Sequence, residues 1–576
     1  MKYRLAFVSP VVLAALGLFV AQSSACGGSS QDVAADAGLD AGDAEIVLGD
    51  ELDEILTPVP DASVSCAVNK TGNTVEDYIA FCFQKQVLET EHGVFDPKLG
   101  IASSWSATTG EPASDGGVVL HDVHDDVAYA ASLASFAISA EEYGDTSIQQ
   151  NILSPDSAAL ASIIAGKLAT LPATYEGEIY MRLRRFADGL RVQGGLLTQT
   201  DATAGGTEID ALADAYGRAI YTTYFHLIPA STVDAGAMGA GEDAGAADAG
   251  SGDASTPSGG NDAGGPDAAS EDGGVSLAFQ DGILGVPQPG GGILYDVDQA
   301  ASGALALIDM ASRHQTDDPT HAYLWADAAL SVFNHLAARA RHSSGLYYAD
   351  LITSSDPGHD ALASVSTPND ALLAETQASV AASLMRALGI VEAEDMSGVL
   401  AGLTAFPFAA TAAAPLSALK GVEPDGGSGA SLWDPTPTTA TTADCDLLED
   451  AAACGGSGLF WRYLPSTGMV DSSEKTLRAN ALAYGAVHRS IVEPGSALSI
   501  DYEALTALIQ TNDANGKDVS FLSQTSGQTA YPNAVSATFG FLSSSSPSFS
   551  AQADAYALEA LTEQWIGRMD CPPSFF

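Results

Sequence analysis

The sequence predicts an all-α domain in which helical hairpins repeat and close into a ring. Three observations lead there. Most of the chain carries apolar residues three and four apart, filled with alanine and leucine. A unit recurs: a glycine, two or three bulky residues, a polar loop, then a helix with an acid or amide near its start. Such a unit cannot bury its own apolar face, so neighbours must stack.

In chain order, the helical segments begin near Tyr78 and continue with "DDVAYAASLASFAISAEEYG", "SAALASIIAGKLATL", "YEGEIYMRLRRFADGLRV" and "IDALADAYGRAIYTTYFHLI". They resume with "DQAASGALALIDMASRH", "HAYLWADAALSVFNHLAARAR" and "DALLAETQASVAASLMRALGI". Further segments lie near Met396, at "TLRANALAYGAVHRSIV", near Tyr502 and at "AQADAYALEALTEQWIG". Few strand patterns appear. The unit glycines are Gly93, Gly195, Gly292, Gly345 and Gly458, leading to helices at Asp125, Asp210, Gln299, Asn369–Asp370 and Glu474. A sixth unit is implied by "FGFLSSS…AQADAYALEAL". Gly292 to Gly345 is a step of 53 residues, and Gly195 to Gly292 is 97, or 53 without a 44-residue insert. Six units make ring closure the economical arrangement, against an open solenoid.

The flanks read differently. Lys2 and Arg4 precede an apolar run from Leu5 to Ala21, as in a secretory signal. "SSAC" resembles a bacterial lipobox, with Cys26 as the lipidated residue; the rival is a plain signal peptidase site. Residues 1–25 are therefore expected to be a lipoprotein signal peptide. Gly27 after the cysteine favours the outer membrane, at its periplasmic or cell-surface face. Residues 26–65 form an acidic tether: Gln31 to Ala62 holds ten acids and no Lys or Arg. The stretch 231–274 holds nine acids and no base, and reads as a disordered Asp/Ala/Gly-rich insert within the ring domain, 66–570. The net charge of −51 repels phosphate backbones and excludes nucleic acid as a partner. Of the remaining cysteines, Cys445 and Cys454 are expected to pair, and Cys66 with Cys571, leaving Cys82 buried as a thiol; the rival is Cys66–Cys82. No C-x-x-C, P-loop or dinucleotide motif occurs, and no cofactor is expected.

At this point the pattern resembles the (α/α)6 toroid of six-hairpin glycosidases, and most of all the α-1,6-mannanase-like family, over about residues 66–570. That family carries two adjacent aspartates in a motif resembling W-D-D-x-x-W at the start of an inner helix. "HDDVAYA" places Asp125 and Asp126 there, with His124 and Tyr129 at the aromatic positions. "EEYGDTS" resembles the family's ELTGDxxY turn, and "STPNDALLAETQASVAASLMRAL" its YNQG helix. The resemblance implies hydrolysis of an extracellular or cell-wall glycan, with Asp125 as nucleophile and Asp126 as acid/base, or the reverse. Retaining hydrolysis uses two carboxyl groups about 5 Å apart, and their mutual repulsion keeps one protonated.

Other readings of the same stretch stand beside it. An acid pair at a helix start is favoured by capping and the macrodipole alone, by about 0.5–2 kcal/mol for a good cap. His121 and Asp125 are four apart, with His124 or Asp122 close, but H-D-V-H-D matches no zinc motif, so no metal is expected. His121, His124, Tyr348 and Trp461 are candidate substrate contacts; Tyr347, Tyr348, Phe460 and Trp461 either stack on sugars or fill the core. Asp210, Asp214, Asn369, Asp370, Glu375, Glu474 and Asp554 stand near expected inner-helix starts. Arg182, Arg184 and Arg185, conspicuous in a base-poor chain, either pair with acids or bind an anionic substrate. The non-catalytic alternative is a carbohydrate-binding or structural surface lipoprotein.

Overall fold

The computed structural model describes residues 75–143, 148–169, 176–194, 199–224, 293–352, 371–393, 401–422, 428–434, 458–492, 528–536 and 548–562, with short strands at 67–68, 227–229, 277–279, 286–287, 523–525 and 569–570. The signal, tether and 231–274 insert lie outside the described residues, as do Cys26, Cys66, Cys445, Cys454 and Cys571. Eleven of the described helices build the ring: α1 Val75–Gly93, α2 Val123–Tyr143, α3 Ser154–Leu168, α4 Gly177–Gly194, α5 Gln199–Tyr224, α6 Val297–His314, α7 Pro319–Arg339, α8 Ala374–Ala393, α9 Phe408–Leu419, α10 Leu477–Val492 and α11 Ala551–Thr562.

Six of these pack in a closed cycle. Helix α2 lies on α4, α4 on α6, α6 on α8, α8 on α10, α10 on α11, and α11 returns to α2. Around them α1 and α3 cover α2, α5 covers α4, α7 covers α6 and α9 covers α8. The chain is an (α/α)6 toroid. An inner helix is flanked on both sides and from behind, so it is apolar nearly all round. In α6 every residue from Ala300 to Ser312 except Ser302 is buried. Alanine fits such crowded helices because it is small and has the highest helix propensity. At the tightest crossings even alanine is too large. A Cβ on Gly177 would stand 2.2 Å from the Ser302 carbonyl on α6, and one on Gly189 would stand 2.6 Å from the Ala134 Cβ on α2.

The strand content exceeds the sequence expectation, in ladders only two or three residues long. Four of them stitch the lead-in of one inner helix to the segment after it in the cycle. Ile293–Asp296, before α6, pairs with Asp350–Ile352; Leu372–Leu373, before α8, pairs with Arg462–Leu464. Glu474–Thr476, before α10, pairs with Ala534–Ser536. Ser548–Phe549, before α11, pairs with Trp105–Ser106, before α2, which closes the cycle in the strand layer too. Runs this short carry no periodicity to read from sequence. The ends of the domain also meet: Ala67 opposes Asp570 and Val68 opposes Met569. Cys66 and Cys571 each stand one residue further along the chain. Cys82 is a buried thiol in α1.

One repeat is displaced from its expected place. The second inner helix is α4, from "GEIYMRLRRFADGLRVQG", whereas Asp210 and Asp214 lie mid-way along the outer helix α5. The motif "GLLTQTD" leads directly into that outer helix. Both helices carry apolar residues at helical spacing, so the equal 53-residue steps misassign this unit.

Candidate active site

Five of the six inner helices follow a described short strand, and Arg478 at the start of α10 reaches Glu178 at the start of the sixth, α4, so the N-terminal turns gather around one mouth of the ring. The mouth is built first by α2. Asp122 caps it: its Oδ1 accepts the His124 N–H at 2.8 Å, and its carbonyl accepts from Asp126 N. His124, Asp125 and Asp126 then follow at about 100° intervals around the axis, and each meets a different neighbour.

His124 turns toward α4. Its Nε2 lies 3.5 Å from Glu176 Oε1, just before α4, and its Nδ1 lies 2.6 Å from Asp122 Oδ1. The hydrogen bond to Glu176, reinforced by Asp122 against the effect of burial, pushes the imidazole up to about 9. It is an imidazolium at neutral pH. Asp125 turns toward the other neighbour, α11, and accepts from Gln552 Nε2 at 3.1 Å. Burial raises its carboxyl, against hydrogen bonds from Ser103 and Gln552. Because α2 sits between α4 and α11 in the ring, His124 and Asp125 straddle its axis-facing side.

Asp126 faces away, toward the outer layer. Its side chain is wholly enclosed. Oδ1 accepts the Ile101 N–H at 2.9 Å and Oδ2 accepts from Lys167 Nζ, on α3, at 2.5 Å. The hairpin of Phe95–Asp96 and Gly100–Ile101 is folded over it. Gly100 sits at φ 104°, and a Cβ there would fall 2.0 Å from Asp126 Oδ1. Only glycine serves both the backbone and the close approach. Burial raises the Asp126 carboxyl while Lys167 opposes it. The two adjacent aspartates therefore have separate surroundings: one beside the axis, one locked into the outer wall.

The remaining sequence candidates are placed as follows. His121 Nδ1 lies 3.0 Å from the Ile101 carbonyl oxygen, so it braces the same hairpin. Tyr348 packs on the core edge-on to His342, and Tyr347 is fully buried. Trp461 is half-buried with the Arg462 guanidinium stacked 3.8 Å from its ring centroid, and Phe460 packs on the core with Lys475 over its ring. Glu375, in the first turn of α8, lies 3.6 Å from Arg478. Glu474 is in a strand; burial raises its carboxyl, with Asp471 adding to it. Asp554 is buried in α11, accepting from Tyr531 N. Asn369 and Asp370 lie outside the described residues. Arg184 pairs with Asp210, Asp214 and Asp309, in a knot between α4, α5 and α6. Among the described residues no group of three His, Cys, Asp or Glu side chains is arranged to hold a metal ion.

Arg478, in the first turn of α10, ties the mouth together. It reaches Glu178 at 3.2 Å, Asp298 and Glu375, from three other inner helices. Tyr556 donates to Glu178 from α11. Burial raises the Glu178 carboxyl, but Arg182 and Arg478 outweigh it and hold it at about 2. Behind this layer the axis narrows to a cavity of about 40 Å³. Sequence reasoning missed Glu176, Glu178, Arg478, Gln552 and Lys167. One signal was present for the bases. With 22 Lys and Arg in 576 residues, any base inside an apolar helix pattern marks a buried acid to be answered.

No protein-family model matches the sequence, and no curated protein matches it. Solved structures do. An unsaturated glucuronyl hydrolase specific for heparin aligns at 11% identity and TM-score 0.45, over 85% of this chain and 98% of that one. The unsaturated glucuronyl hydrolase of Bacillus sp. GL1, responsible for degradation of glycosaminoglycan, aligns at 13% identity and TM-score 0.46, over 85% and 97%. An inactive variant of the α-1,6-mannanase of Salegentibacter sp. HEL1_6, in complex with α-1,6-mannotriose, aligns at 10% identity and TM-score 0.40, over 84% and 99%.

Proposed function

We propose that the ring is a glycosidase-like domain of an exported, lipid-anchored protein at the outer membrane, and that it cleaves an extracellular or cell-wall glycan at the mouth beside Asp125. The observation that carries this reading is the pairing of Asp125 with Gln552 at the axis-facing start of α2, where burial favours the protonated carboxyl. Glycoside hydrolysis needs one carboxylic acid to protonate the departing oxygen and a second carboxylate as base or nucleophile. Asp125 fits the acid. Asp126, the sequence's other candidate, is enclosed, so in this reading it positions the hairpin and the helix start. The second carboxylate comes from the rim, where Asp122 and Glu176 flank the His124 imidazolium. That imidazolium and the charged rim suit a polar, hydroxyl-rich ligand.

The test is product release. The purified chain is incubated with α-mannans, uronate-containing glycans and peptidoglycan, and oligosaccharides are resolved by chromatography. Products are expected from the native protein and not from Asp125→Asn at unchanged helix content. Undiminished turnover by that variant overturns the assignment.

A second reading has its own support: the axis behind the mouth is filled by ion pairs, and its 40 Å³ is far below the roughly 300 Å³ of ordinary small-molecule sites. That favours a glycan-binding surface domain without catalysis. Retention on a glycan column with no product from any substrate would select it.

A further inference from the structure

The axial cavity has walls from α4, α6, α8, α10 and α11. Four arginines line it, Arg182, Arg185, Arg386 and Arg478, against two glutamates, Glu178 and Glu559. This concentration of positive charge occurs in a chain with 73 acids and 22 bases. Arg478 is further answered by Asp298 and Glu375 on its mouth side. Deeper in, Arg182 and Arg185 both reach Glu559, and Arg386 adds a third guanidinium to the wall. Arg182 is the informative one. Its side chain is 7% exposed; Nε donates to Glu559 at 3.0 Å and Nη1 lies 3.0 Å from Glu178 Oε1. Its Nη2 is buried and has no hydrogen-bond partner. A buried charged donor left unmade is costly, so something accepts from it. Ser302, Ser379 and Ser383 add hydroxyls to the same wall.

We propose that the axis of the toroid holds one small inorganic anion of the halide class, accepting from Arg182 Nη2 and seated among the cavity's arginines and serines. Size supports a monatomic ion. About 40 Å³ holds roughly three water-sized probes, enough for a halide with a water or two and far too little for a sugar ring. The ion would join helices from opposite sides of the ring, and so acts on stability. The proposal does not depend on the glycan reading.

Two measurements test it. Thermal unfolding is followed at fixed ionic strength while gluconate is exchanged for chloride or bromide. The midpoint is expected to rise with halide and then saturate, as binding to the folded state alone requires. Crystals soaked in bromide are expected to give an anomalous peak within hydrogen-bonding range of Arg182 Nη2. Arg182→Ala should abolish the halide dependence. Should that variant fail to fold, Ser383→Asp supplies a fixed negative charge from the wall; it should unfold at the same midpoint with or without halide. A midpoint that does not change as halide replaces gluconate, or only water at the axis in bromide crystals, overturns the proposal.

Discussion

Two groups of carboxylates in this protein are withdrawn from water, and they are neutralised in opposite ways. On the axis, Glu178 and Glu559 share Arg182, Arg185 and Arg478. Between α1, α2 and α11, Glu91 and Asp554 are both fully buried, with Asp156 near by. Burial, Asp554 and Asp156 all push the Glu91 carboxyl up, and the nearby Ser132 hydroxyl acts the other way. Burial pushes Asp554 up likewise, against the Tyr531 N–H. In the first group the acids stay charged because guanidinium is at hand. In the second, burial favours the protonated form. Base is scarce in this chain, and the structure spends it where several helices converge and leaves the side wall to protonation.

The comparison gives predictions in order of size. Glu559→Ala strands Arg182 and Arg185 in a buried setting and should cost about 3–5 kcal/mol in urea unfolding. A loss below about 1 kcal/mol would mean water already neutralises the axis. Asp126→Ala removes one partner of Lys167 and the acceptor for Ile101 N, and should cost about 2–3 kcal/mol, whereas Asp125→Asn should cost under about 1 kcal/mol. Equal losses would erase the distinction between wall and mouth. Glu91→Gln replaces a group that must otherwise hold its proton, and should stabilise the protein by about 1–2 kcal/mol at pH 7.

The pH dependence sharpens the contrast, because the two groups have opposite signs. A Glu91 carboxyl raised above its ordinary 4.5 contributes its full stability below pH 4.5 and loses it as pH climbs through the folded value. The gain from Glu91→Gln should therefore vanish near pH 4. Glu178, held at about 2, contributes fully above pH 4.5 and loses that as pH falls toward 2. Unfolding curves of Glu91→Gln and Glu178→Gln between pH 3 and 8 should diverge in opposite directions. The smallest effect is spectroscopic. The His124 ring resonances should titrate near pH 9, against an ordinary 6.5, and Glu176→Gln should bring the midpoint down.

The ring itself was legible in the sequence because its signal is repeated. Five of six inner-helix starts fall close to the acids or amides that mark them: Asp125, Gln299, Asp370, Glu474 and Asp554. The second start was misplaced because α4 and α5 both carry apolar residues at helical spacing, and burial on one side or two cannot be told from spacing. At the site, the position of Asp125 and Asp126 was readable, since a helix start is local. Their surroundings were not. Lys167 lies 41 residues from Asp126, and Gln552 lies 427 from Asp125. The first pair forms when α3 packs on α2, and the second only once the ring is closed.

The ladder that joins Ala67 to Asp570 makes the order of units around the ring largely independent of where the chain begins. Linking those two strands by a short peptide and opening the backbone within the 231–274 stretch would yield a circularly permuted protein. Its six inner helices would keep every neighbour they have now, while α6 would become the first of them to leave the ribosome and α4 the last.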